Sequence, residues 1–189
     1  MRVLRIMLGA AFVAAATLPA IAADDILDAI EQARKSYQSG DLGNAKQSLD
    51  LASQLIGQKN AESFGVLLPP ALPGWKAEPV QTTALGQIGL GASAASRNYT
   101  NAKGDNVEVQ ITGDSALIMQ FAPLLNSPGL AGAMGKIIRV GNQRAIQARD
   151  GEITMVIANK FLVTVQGSAD AEAKMAYAQA IDVAKLSKM

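Results

Sequence analysis

The 189-residue chain contains no cysteine and no histidine. The first absence excludes disulfides, thiolate nucleophiles and thiolate-ligated metals, so the fold must be held without covalent cross-links. The second removes a common zinc and haem ligand, the base of serine-histidine and cysteine-histidine pairs, and the commonest general base near neutral pH. Aromatic residues are only 4% of the chain against 49% hydrophobic residues in all, so the core must be mostly aliphatic. There is no block of like charges, and 17 basic residues nearly balance 16 acidic ones, which leaves no electrostatic footprint for nucleic acid.

What is present begins with Arg2 and Arg5, then an apolar run over residues 6–18, then Pro19 and Ala20-Ile21-Ala22. A basic start, an apolar core and small residues in that order read as an export signal over residues 1–23, with cleavage expected after Ala22 or Ala23. The apolar run is shorter than the roughly 20 residues of a spanning helix, and Pro19 breaks its end. No twin-arginine pair precedes the run and no cysteine follows the small residues, which points to general secretion into the periplasm without a lipid anchor. Without Arg2 and Arg5, 15 basic residues face 16 acidic ones, a net charge of −1. About 165 residues then remain, enough for one domain with a small attachment.

Chemistry without histidine or cysteine needs a carboxylate, lysine, serine or tyrosine constellation. Gly113-Asp114-Ser115 resembles the first block of GDSL-type hydrolases, but those enzymes need a histidine to take the serine proton. The same residues read more simply as a strand end, a glycine turn, and a helix cap supplied by Asp114 or Ser115. No Ser-x-x-Lys pair occurs, and Gly86, Gly89 and Gly91 match neither nucleotide-binding glycine pattern. Asp150 and Glu152 form a close carboxylate pair, yet Asp150-Gly151 between two strand-like runs reads as a hairpin turn. The acidic residues are too scattered for a calcium loop. No catalytic residue, metal or cofactor is expected.

The periodicity organises the chain. Ile26, Leu27, Ile30, Ala33 and Tyr37 recur at helical spacing, and Ala45, Leu49, Ala52, Leu55 and Ile56 repeat the pattern after Gly40-Asp41. This predicts an αα-hairpin over residues 24–59, then a linker over 60–74 that carries Pro69, Pro70 and Pro73, then a sheet domain over 75–189. Strands are expected at residues 76–80, 97–100, 107–112, 136–140, 144–148, 153–158 and 161–166, with a Gly- and Ala-rich loop through Ser93. Helices are expected over residues 115–125 and after Gly167, the latter capped by Ser168. The whole predicts an α+β fold in which an antiparallel sheet of about six to seven strands is covered by two helices and preceded by the hairpin.

Two resemblances follow from these residues. Ala33, Tyr37, the Gly40-Asp41 turn, Ala45, Leu49 and Ala52 fall where a tetratricopeptide-type hairpin places its packing residues, over about 30 residues. Pro73-Gly74-Trp75, Arg97-Asn98-Tyr99-Thr100, Ile111-Thr112-Gly113-Asp114-Ser115, residues 141–145 and residues 161–167 resemble an exported bacterial domain family of unknown function. Its layout is similar to the extrinsic PsbP-type proteins of photosynthetic membranes. Neither resemblance carries active residues onto this chain.

A single hairpin cannot bury its own faces, so it must pack on its domain, on a second copy or on a partner. Ile26, Ile30, Tyr37 and Leu49 are therefore the candidate interaction surface of a non-catalytic module that binds another periplasmic or envelope protein, or itself. The alternative is a carrier of a small apolar ligand, with Met119, Phe121, Leu125 and Met134 lining a cleft. An enzyme that works without histidine or cysteine ranks third.

Overall fold

The computed structural model describes residues 24–84, 92–113, 118 and 135–189. Two helices come first, α1 (Asp25–Gln38) and α2 (Leu42–Gly65). The strands follow as β1 (Trp75–Ala77), β2 (Gln81–Ala84), β3 (Ser93–Asn101), β4 (Asn106–Gly113), β5 (Lys136–Val140), β6 (Gln143–Gln147), β7 (Ile153–Ile157) and β8 (Phe161–Gln166). The chain ends in α3 (Ala171–Gln179) and the short α4 (Val183–Leu186). The fold is α+β, and the strands form one antiparallel sheet in the order β1-β3-β4-β8-β7-β6-β5, with β2 also paired to β3.

Strict alternation in the sequence of β4 explains the layering. Val107, Val109 and Ile111 are fully buried, and they stand level with Tyr99, Arg97 and Ala95 of β3. Across the other edge, Val109 faces Val165 and Ile111 faces Val163, and the row continues through Met155 of β7 to Ala145 of β6. Apart from Arg97, these side chains form one apolar sheet face. The opposite face carries Ser96, Gln110, Thr164 and Thr154 in one register row.

Turn chemistry connects the strands. Gly141-Asn142 links β5 to β6, with Gly141 at φ +57°. Ala158 and Asn159 both have positive φ, and Lys160 N–H donates to the Ile157 carbonyl at 3.0 Å, which makes this hairpin a type I′ turn. Between β3 and β4, the Asn101 side-chain oxygen accepts from the amides of Lys103 and Asp105 at 2.9 and 3.0 Å.

The apolar face is covered by the C-terminal end of α2 and by α3. Phe64 of α2 meets Phe161 edge-on at 5.5 Å. From α3, Tyr177 stacks at 4.3 Å on Tyr99 and receives the edge of Trp75 at 5.5 Å. The segment after α2 is tied to this cluster: Tyr99 hydroxyl donates to the Pro69 carbonyl at 2.6 Å, and Leu72 N–H donates to the Tyr177 hydroxyl at 3.3 Å. Lys174 is also buried, its ammonium donating to the Asp150 carbonyl at 2.7 Å and joining α3 to the β6–β7 turn.

Several element ends differ from the sequence expectation for identifiable reasons. α2 runs on through residues 60–65, because Ala61 and Phe64 bury against the sheet and no proline intervenes before Pro69. The strand expected at 76–80 ends at Ala77 as β1, since Pro79 has no amide to donate to a ladder, and β2 (Gln81–Ala84) occupies the start of the stretch expected as a loop. β3 begins at Ser93, four residues earlier than expected, where small side chains pair with β2 and β4. The helix expected after Gly167, α3, is capped by Asp170, whose carboxylate accepts from Ala173 N–H at 2.8 Å, while Ser168 accepts instead from Asn106 N–H at 3.0 Å. The helix expected over 115–125 lies outside the described residues except for Ile118, which is buried.

Burial pushes the Tyr99 hydroxyl up to about 12, and Arg97 pulls the other way without cancelling it. The Tyr177 hydroxyl is raised by burial as well. A tyrosine held protonated in the fold stabilises it fully below the unfolded value near 10, and that stabilisation is lost as pH rises through the folded value. Equilibrium unfolding should therefore be nearly flat to pH 9 and lose about 2 kcal/mol between roughly pH 10 and 12. Tyr99→Phe should remove most of that fall and cost about 1–2 kcal/mol at pH 7, because the Pro69 carbonyl loses its donor.

Candidate functional site

The hairpin is built from caps inward. Asp24 accepts from the amides of Ile26 and Leu27 at 3.1 and 3.3 Å and starts α1, while Gly40 at φ +80° lets the chain reverse after Ser39. Asp41 then accepts from Asn44 N–H at 3.1 Å and starts α2, and that backbone bond holds its carboxyl below the ordinary aspartate value. α1 packs along the N-terminal half of α2 and makes no more than passing contact with any strand.

Small residues line the seam between the two helices. Ala29, Ala33 and Ser36 of α1 are buried against α2, where Ala45 and Ala52 are buried in turn, and Ile26, Ser48 and Leu55 complete the seam half-buried. Written as a seven-residue repeat, Ile26, Ala29, Ala33 and Ser36 occupy positions a and d of α1. Ala45, Ser48, Ala52 and Leu55 do the same in α2. Ile30 and Tyr37 then fall at position e of α1, and Leu42, Leu49 and Ile56 at position e of α2. In an antiparallel pair of right-handed helices the e positions of both lie on one side of the seam.

That side is apolar and open to solvent. Ile30 is 44% exposed, Tyr37 70%, Leu42 65%, Leu49 55% and Ile56 43%. Charged residues stand elsewhere on the helices: Arg34 pairs with Glu31 at 2.6 Å and Lys46 with Asp50 at 2.7 Å, both pairs exposed. The Arg34 hydrogen bond holds the Glu31 carboxyl below its ordinary value. Exposed pairs of this kind contribute little to stability.

Of the four residues that the sequence marked as an interaction surface, Ile30, Tyr37 and Leu49 share this face, and Ile26 sits half-buried at the open end of the seam. Leu42 and Ile56 were not marked. They lie seven residues on either side of Leu49, and that heptad spacing was the available signal.

The sheet domain offers less. Met119, Phe121, Leu125 and Met134, the residues expected to line an apolar cleft, lie outside the described residues, as do Asp114, Ser115 and the glycines at 86, 89 and 91. Asp150 and Glu152 occupy an exposed turn, where the Asp150 carboxylate accepts from Glu152 N–H at 3.1 Å. An open cleft of about 430 Å³ lies between the β5–β6 turn and α3–α4, lined by Gly141, Asn142, Gln143, Gln179, Ile181 and neighbouring small residues, none of them titratable. Among the described residues no three carboxylates gather to hold a metal ion, and no helix is long and apolar enough to cross a membrane.

Comparison with family models, curated proteins and solved structures finds no match, and so no enzyme family or catalytic relative. The functional reading rests on the chain's own surface.

Because Tyr37 and Leu49 are more than half exposed, Tyr37→Ala and Leu49→Ala should each change the folding free energy of an isolated chain by no more than about 0.5 kcal/mol. Ala33→Leu or Ala52→Leu, which force bulk into the seam, should cost about 1–3 kcal/mol. Denaturant unfolding at low protein concentration separates the two classes.

Proposed function

We propose that the protein is a non-catalytic module, exported to the periplasm, that binds another protein through the hairpin. One observation carries this reading: among the described elements α1 packs on α2 and on no other to more than a passing extent, and the two turn an uncharged row of Ile30, Tyr37, Leu42, Leu49 and Ile56 to solvent. Monomeric soluble proteins rarely expose a contiguous apolar patch of more than a few hundred Å², and larger ones mark interaction sites.

The chemistry of the chain supports the same reading. It has no histidine or cysteine, its Asp150–Glu152 carboxylate pair is a solvated turn, and its buried amine at Lys174 is engaged with a backbone carbonyl. The resemblance of the sheet domain to PsbP-type extrinsic proteins adds no catalytic residue. On this reading the sheet domain is the folded base, and the hairpin is the segment that reaches a partner.

A photo-crosslinking amino acid placed at Tyr37 or Leu49 in the chain produced by its own cells should yield a discrete protein adduct. The same group at Lys103, in the exposed β3–β4 turn, should yield none. Equal, diffuse labelling from all three positions would overturn the proposal.

A further inference from the structure

The heptad pattern of the hairpin specifies how many helices it is built to meet. A two-helix seam needs apolar residues only at positions a and d, whereas helices inside a larger bundle carry them at a, d and one flanking position. Here every e position from Ile30 to Ile56 is apolar: Ile30, Tyr37, Leu42, Leu49 and Ile56. The g positions on the opposite flank are Asp25, Gln32, Asn44, Leu51 and Gln58, mostly polar. The hairpin is therefore patterned as one half of a four-helix bundle, with the e face as the missing internal surface, yet among the described residues no third helix makes more than passing contact with α1 or α2.

We infer that the missing half is a second copy of this chain, the two hairpins stacking e face to e face about a two-fold axis. This rests on the reading of the hairpin face as the binding surface and names its occupant. A second copy supplies two antiparallel helices with the same apolar row, and a two-fold pairing of one patch with itself is closed, so it ends at a dimer.

The area agrees. Five large apolar side chains exposed by about half offer roughly 500 Å² on each copy, so pairing would bury roughly 1,000 Å² of apolar surface before any rim contact. That reaches the size of a specific protein interface. No charge lies in the row, so apposing two copies buries none. The exposed Arg34–Glu31 and Lys46–Asp50 pairs stay at the rim, each already neutralised within its own helix.

Sedimentation equilibrium of the purified protein from about 1 to 100 μM tests this. The expected result is a dimer whose dissociation constant rises at least a hundredfold in Leu49→Glu and in Tyr37→Glu and does not move in Lys103→Glu. Circular dichroism and the fluorescence of Trp75 should stay unchanged, which shows that the variants fold. A monomer across the whole range overturns the inference, as does a dimer indifferent to both hairpin substitutions. If the monomer comes with a discrete crosslinked adduct from Leu49 whose mass is not that of two chains, the hairpin binds a different protein and only the dimer is lost. A monomer without any such adduct removes both readings.

Discussion

Phe64 is the joint on which the arrangement depends. Its ring rests over Gly113 at the end of β4 and against the face of the sheet beside Phe161, in a space that a side chain at position 113 would fill: a Cβ there would lie 2.6 Å from the ring. Gly65, the next residue of α2, allows the same close approach, since a Cβ on it would lie 2.8 Å from Val80. Two glycines thus allow the end of a helix to sit directly on the strands. Because α2 is one unbroken helix of 24 residues, about 36 Å long, that short footing sets the direction of everything N-terminal to it, α1 included.

α2 accordingly serves two cores with two different surfaces. Near its C-terminus Ala61 and Phe64 enter the aliphatic core of the sheet, whereas Ala45 and Ala52 nearer its start are buried in the seam with α1. The two cores differ in what they can stabilise. The sheet buries branched side chains in rows across β4, β8 and β7, closed at one end by the Tyr99, Tyr177 and Trp75 rings. The hairpin seam buries mainly alanine, with little apolar area per residue.

Much of the fold was legible because two periods, 2 and 3.6, dominate its long elements. β4, β7 and β8 alternate without interruption, and Gly141-Asn142 and the segment around Asn159 punctuate them, so the meander could be read from residue order. Boundaries failed where a local competitor won: Pro79 cut a strand, Asp170 outcompeted Ser168 as a cap, and burial of Phe64 carried α2 past a change in composition. The candidate site was half legible for a different reason. Helical spacing marks Ile30, Tyr37 and Leu49 as a stripe, but spacing alone does not tell a stripe buried inside a hairpin from one that flanks it. That distinction comes from the alanines, which take the seam because they let the helices approach and leave the larger side chains outside. Once Ala33 and Ala52 are in the seam, Leu42 and Ile56 must join the open face.

The small seam and the large open face are two consequences of one choice of residues. Fixing the backbone of a residue costs about 1–2 kcal/mol, and a 14-residue helix is marginal in water on its own propensity, so α1 depends on what it buries. Its contacts with α2 are mostly through alanine and serine, and its capping by Asp24 and its surface ion pairs each add little. α1 is thus held mainly by its small-residue seam with α2, and it carries two residues of the surface through which the chain would meet another. Covering Ile30 and Tyr37 would add large apolar side chains to what α1 buries in its seam, so occupancy of the face and order in α1 are thermodynamically linked: whatever docks there also stabilises the helix it docks on.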